Sequence, residues 1–145
     1  MELSHVDISV PQGALTEDFV GGLERLVCGI FGWTGGARVV ERPGFEPVRS
    51  ASYRAESTVL TLHEADSALQ PGDEDHLGFL VDLAELERLA AACGELAAGD
   101  PRFETRYLTD GVADAVDIGS RVFHTFFVRF RLPLWFQFEH YAPKG

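Results

Sequence analysis

His5-Val6-Asp7-Ile8-Ser9-Val10 and His76-Leu77-Gly78-Phe79-Leu80-Val81 are two copies of one pattern. Each is apolar at its second, fourth and sixth positions, and each leads into a helical stretch. Alternation of this kind turns successive side chains to opposite faces of a sheet. Val6, Ile8 and Val10 therefore share one face, and His5, Asp7 and Ser9 the other. A repeated strand-and-helix unit with a histidine at the same point of each copy predicts two half-domains with related sites.

Working outward, the first helix opens at Thr16, an N-cap residue, with Glu17 and Asp18 in the first turn, where negative charge meets the positive helix end. Leu15 and Val20 occupy the positions of a hydrophobic staple. Phe19, Leu23, Leu26, Val27 and Ile30 recur at helical spacing, and Gly32 closes the run. Gly21-Gly22 inside it costs about 1 kcal/mol per glycine relative to alanine; the pair marks either close approach of a strand or a weak helix. Strands are predicted over Ala37–Glu41, Pro47–Ala55 and Thr58–Glu64, with a turn at Pro43-Gly44. In the second half, Asp82 and Glu85 have capping-box spacing. Leu83, Leu86, Ala90, Cys93 and Ala97 form the apolar stripe, and Gly99 ends the helix. Strands follow over Phe103–Thr109, Val122–Arg131 and Leu134–Tyr141. Asp110–Ser120 reads as a loop, Leu132-Pro133 as the last turn, and Gln70–Asp75 as the joint between halves.

The expected fold is therefore α+β. Two βαβββ modules, 1–70 and 71–145, are expected to form one domain in a pseudo-twofold arrangement, with curved mixed sheets around a cleft and helices outside. The chain's 145 residues, 46% apolar and 24% charged, suit a single soluble domain. No stretch approaches the ~20 apolar residues of a membrane helix. The start lacks the basic-then-apolar pattern of a secretory signal, and two cysteines are too few for a disulfide framework, so a cytoplasmic setting is expected. A net charge of −11 argues against a nucleic-acid partner and would suit a cationic ligand, although acidity also simply keeps a protein soluble.

Aligning the closing strands of the halves matches Thr61 with Glu139. Pseudo-twofold packing would then bring His5, Thr61, His76 and Glu139 together. Two imidazoles and a carboxylate suit Fe, Mn, Ni or Zn as the divalent ion and leave positions open for substrate. Taken singly, His5 reads as a surface histidine, His76 as a cap on the acidic loop, and Glu139 as an edge carboxylate. His63, two residues past Thr61, is a candidate acid or base, or a partner of Glu64 or Asp66. Thr61, Tyr107, Arg129, Trp135, Gln137 and Tyr141 are candidate substrate-binding residues, with sheet packing as the plainer explanation. His124 reads as a hydrogen-bonded core residue, Cys93 as buried, and Cys28 as exposed or at an interface. Neither cysteine has a histidine partner that would make it a nucleophile.

The order of elements, HVDISV, HLGFLV and the closing FQFEHY resemble the vicinal oxygen chelate superfamily of glyoxalase I, extradiol dioxygenases, fosfomycin-modifying enzymes and bleomycin-binding resistance proteins. The resemblance covers essentially the whole chain. It implies His5, His76 and Glu139 as metal ligands, with Pro133 six residues before Glu139 as in the family. The turn itself departs from the family's Asp-Pro-Asp-Gly, reading Arg131-Leu132-Pro133-Leu134. Thr61 stands where glyoxalase I has a fourth ligand. The resemblance implies a metal-dependent lyase, isomerase or dioxygenase that chelates a small oxygenated metabolite through two oxygens. The alternative is a metal-free small-molecule or antibiotic-binding protein of the same fold. It also implies a homodimer, since such chains often complete their sites with a second copy.

Overall fold

A computed structural model describes residues 4–41, 47–68, 70, 75–108, 111, 115–132 and 134–144. The chain divides into two compact units, Met1–Gln70 and Pro71–Gly145. It is α+β, with one helix and one mixed sheet in each unit. The expected turns at Pro43-Gly44 and Pro133, and most of the joint between halves, lie outside the described residues. No described helix is long and apolar enough to cross a membrane.

Unit 1 runs β1 (His5–Pro11), α1 (Glu17–Val27), β2 (Thr34–Val40), β3 (Val48–Ala55) and β4 (Thr58–Ala65). Its sheet has the order β1-β4-β3-β2. The parallel pair β1 and β4 needs a crossover, which α1 and the β2–β3 hairpin supply. Ile8, Val10, Ala51, Tyr53, Leu60 and Leu62 form the buried face of this sheet, and Phe19, Val20, Leu23, Leu26 and Val27 the buried stripe of α1. Thr16 caps α1, its Oγ1 accepting the Phe19 N–H at 3.1 Å. The helix ends at Val27, so Ile30, expected on the stripe, lies in the turn beyond it. A Cβ built on Gly21 would meet nothing within 4 Å, so no strand approaches that glycine, whereas Gly22 is buried on the packed stripe of α1.

Unit 2 runs β5 (His76–Leu80), α2 (Leu83–Gly99), β6 (Phe103–Tyr107), β7 (Val116–Asp117), β8 (Arg121–Phe130) and β9 (Trp135–Pro143). The sheet order is β5-β9-β8-β6, with β7 on β8. β7 falls inside the expected loop, because a two-residue strand is too short to produce a period. Aromatic rings fill the helix side: Phe138 stacks on Phe126 at 5.5 Å and on Phe79 at 5.3 Å. Asp82 caps α2, accepting the Glu85 N–H at 2.8 Å. The reciprocal half of the expected capping box is diverted, since Arg88 holds the Glu85 carboxylate at 2.6 and 2.7 Å.

Cys93 is fully buried, and burial pushes its thiol up to about 12, while Cys28 is half-buried and raised for the same reason, with Glu24 adding to it. A raised thiol stays protonated, and only the thiolate attacks. At pH 8, Ellman's reagent is expected to label Cys28 slowly and to reach Cys93 only after denaturation. Rapid labelling of two thiols in the folded chain would contradict this packing.

Candidate functional site

Paired strands present opposed residues on a common face. In unit 1 the register His5↔Val59, Asp7↔Thr61 and Ser9↔His63 puts these six residues on the face away from the Ile8–Leu62 core. Ser9 Oγ and His63 Nε2 share a hydrogen bond of 3.1 Å, so His63 is held by Ser9 rather than by the expected Glu64 or Asp66. Glu64 instead accepts the Leu15 N–H at 2.8 Å. His5 is exposed, with its Nδ1 2.9 Å from Ser4 Oγ.

In unit 2 the register is His76↔Trp135, Gly78↔Gln137 and Leu80↔Glu139. His76, Trp135, Gln137, Glu139 and Tyr141 thus share one face, as expected by alternation. A Cβ on Gly78 would lie 3.7 Å from Glu139 Oε1 and 4.0 Å from Gln137 Oε1. Both oxygens therefore lean over the one residue of β5 that has no side chain, on the stretch between His76 and Leu80. Glu139 Oε2 accepts the Tyr141 hydroxyl at 3.2 Å. Burial and then the Glu139 charge raise the Tyr141 phenol, which keeps it a donor at neutral pH. Gln137 is 7% exposed; its amide donates to Thr125 Oγ1 at 3.1 Å, and Thr125 donates to the Phe138 carbonyl at 2.8 Å. That network fixes which way the Gln137 oxygen points.

Three expectations need correction. Counted from each histidine along its parallel partner, Thr61 answers to Gln137, and His63 answers to Glu139. The ungapped alignment of closing strands was two residues out, a shift that preserves facing and so leaves no trace in alternation. Tyr107 lies on the helix side, paired with Phe126 at 6.2 Å between rings and with its hydroxyl 3.8 Å from a Cβ on Gly94. It follows Phe103 and Thr105 in alternation, and Phe103 is core. Trp135 is 4% exposed, with Arg106 4.7 Å and Arg129 4.4 Å from its ring, so it offers no open stacking surface. Arg129 is also clamped by Glu104 at 2.9 and 2.8 Å. Arg106 and Gly78 are site neighbours that sequence reasoning missed; the alternation of β5 and β6 was the available signal.

The donor chemistry on β5 and β9 suits a divalent ion: an imidazole and a carboxylate, with an amide oxygen between them in register. Within either unit, however, no three described His, Cys, Asp or Glu side chains gather closely enough to hold one. His76 and Leu80, the partner of Glu139, stand four residues apart on β5, on the order of 13 Å of strand, and the backward lean of Glu139 over Gly78 shortens only part of that gap.

No family profile and no curated protein matches the chain. Solved structures do. The fosfomycin resistance protein FosX from Mesorhizobium loti is 16% identical, with 94% of this chain and 89% of that one covered and a TM-score of 0.59. A mutant of FosX from Listeria monocytogenes, complexed with Mn(II) and 1S,2S-dihydroxypropylphosphonic acid, is 13% identical over 94% and 90%, also with a TM-score of 0.59. A glyoxalase/bleomycin resistance protein from Albidiferax ferrireducens is 14% identical over 95% and 98%, with a TM-score of 0.57. At these identities the likeness is one of fold.

Proposed function

We propose, on the premise that this chain has the fold of the vicinal oxygen chelate superfamily, that it is a metal-dependent enzyme acting on a small oxygenated metabolite. One observation carries the reading: Glu139 and Gln137 turn their oxygens over the side-chain-free Gly78, on the face that also carries His76. A buried carboxamide oxygen and a half-buried carboxylate brought together over a glycine are useful to a ligand and costly to packing. The proposed ligands are His5, His76 and Glu139, and the ion is one of Fe, Mn, Ni or Zn. When bound, it would stabilise negative charge on two adjacent substrate oxygens, the chemistry shared by lyase, isomerase and dioxygenase reactions. Glu139 is oriented by the Tyr141 hydroxyl, and Gln137 by Thr125. His63, held by Ser9, is the proposed acid or base, and Thr61 a proposed substrate contact. Arg129 and Trp135 act by walling the face rather than by stacking on the ligand. The chain is proposed to act in the cytoplasm as a homodimer.

A second reading has its own support. That no three His, Cys, Asp or Glu side chains gather within a unit among the described residues favours a metal-free protein of the same fold that binds an antibiotic or another small molecule. Purification without chelator or His-tag, followed by metal analysis and thermal shift, separates the two. The enzyme reading expects about one divalent ion per chain and a melting temperature that falls on chelation, as binding to the folded state alone stabilises it. Absence of any metal dependence in melting or turnover would leave the binder.

A further inference from the structure

A hollow of about 450 Å³ opens on unit 1, lined among others by Thr34, Gly36 and Arg38 of β2, Ser52 and Arg54 of β3, and Thr61 of β4. The register lays its residues in rows: Thr34, Arg54 and Val59; then Gly36, Ser52 and Thr61; then Arg38, Ser50 and His63. Ser52 Oγ and Thr61 Oγ1 are hydrogen-bonded at 3.2 Å, so two hydroxyls form the middle row, with an arginine in the row on either side. Gly36 ends that row without a side chain, and the Glu24 carboxylate of α1 stands 3.2 Å from where its Cβ would be. Gly35, at φ +151°, presses the β2 backbone against β3, where a Cβ would come 1.9 Å from the Ser52 carbonyl. No other residue can take its place, which fixes the rim of the hollow. Asp7, paired with Thr61 on β1, bounds the row on its far side.

Charge decides what fits. The chain has 23 acidic side chains against 12 basic ones, yet among the described residues neither Arg38 nor Arg54 has an ion-pair partner. By contrast Arg88, Arg102, Arg129 and Lys144 are each paired with a carboxylate. Two guanidiniums with no carboxylate in ion-pair contact, and a Ser52–Thr61 hydroxyl pair with one O–H left to donate, match the hydrogen-bonding demand of an oxyanion, with Asp7 and Glu24 standing at the two ends of that row. We infer that this hollow binds the carboxylate or phosphate group of a small molecule. A polyanion such as nucleic acid does not fit, because the surrounding net charge of −11 repels it. The inference deepens the proposed function, resting on it through Thr61, and replaces the cationic ligand expected from net charge with an anionic one. Local charge, and not the sum, governs a short-range site.

The test is titration of the full chain, without added metal, with inorganic phosphate and with acetate in separate arms, followed by backbone amide NMR at low salt. Saturable shifts confined to β2, β3 and the Thr61 region are expected, and the tighter arm identifies the anion class. Arg38→Gln and Arg54→Gln should each weaken binding by about tenfold, and the exposed control Arg49→Gln should not. Both arginines are exposed, so the amide spectrum itself reports that the variants stay folded. Unsaturable shifts, shifts spread over every arginine, or unchanged affinity in the Arg38→Gln/Arg54→Gln double variant would overturn the site. Because no metal is present, loss of metal-dependent turnover elsewhere overturns the proposed function without touching this result.

Discussion

Glu139→Gln is expected to lower metal-dependent turnover by about 10²–10³-fold, the usual scale for removing one preorganised charge-stabilising group. Glutamine keeps the length and shape of the side chain. Its amide oxygen can still accept the Tyr141 hydroxyl, so the hydrogen bond that orients position 139 survives. What disappears is the negative charge that would hold a divalent ion. The Tyr141 phenol, raised in part by that charge, should move back toward its ordinary value. Position 139 is only half-buried and forms no ion pair among the described residues, so stability should change by less than about 1 kcal/mol. The check combines metal content, turnover of diketones and catechols, and a urea midpoint on one preparation. Retained metal and retained turnover would reduce Glu139 to a partner of Tyr141. Ligand stabilisation that survives both chelator and Glu139→Gln, with no turnover, would establish the binding protein.

The largest effect on stability is expected at Phe126. It is fully buried, opposite Phe138 in register with 5.5 Å between rings, and paired on the other side with Tyr107. Phe126→Ala removes a ring from the centre of the unit 2 sheet and leaves a cavity that β8 and β9, joined along eight residue pairs, cannot close. Changes of this kind cost about 3–5 kcal/mol, a large part of the roughly 5–15 kcal/mol that holds a domain folded. The urea midpoint of unfolding should fall with the slope unchanged. Phe127, its neighbour on the other face, is half-buried against His76 at 5.7 Å, and Phe127→Ala should cost much less. Equal losses at the two positions would mean that the faces of β8 are misassigned.

The comparison of adjacent phenylalanines marks where reading a sequence succeeds and where it stops. Faces along one strand were legible: alternation put His76 with Gly78 and Leu80, and Gln137 with Glu139 and Tyr141, and the sheet keeps those sets. The helices were legible too, because Thr16 and Asp82 cap them as their side-chain chemistry requires. Tyr107 went astray because β6 is short and its alternation was not tied to the buried Phe103. Thr61 and Glu139 were matched across the repeat by counting, and the count was two residues out. The Arg38–Arg54 hollow was invisible, since its residues are separated in sequence and the chain's acidity pointed the other way.

By itself, then, the sequence determined the α+β order of the longer elements, the helix starts and the alternation of faces in strands such as β1, β5 and β9, all of which follow from contacts within a few residues. Which residue stands opposite which was decided only by the tertiary structure. Register is set between strands, by turns and by the packing of Leu60, Leu62, Phe126 and Phe138 in their cores, and a slip of two residues keeps every face while moving every partner. The candidate sites depend on those partners: Glu139 over Gly78, Gln137 on Thr125, and two arginines in the rows beside Ser52 and Thr61.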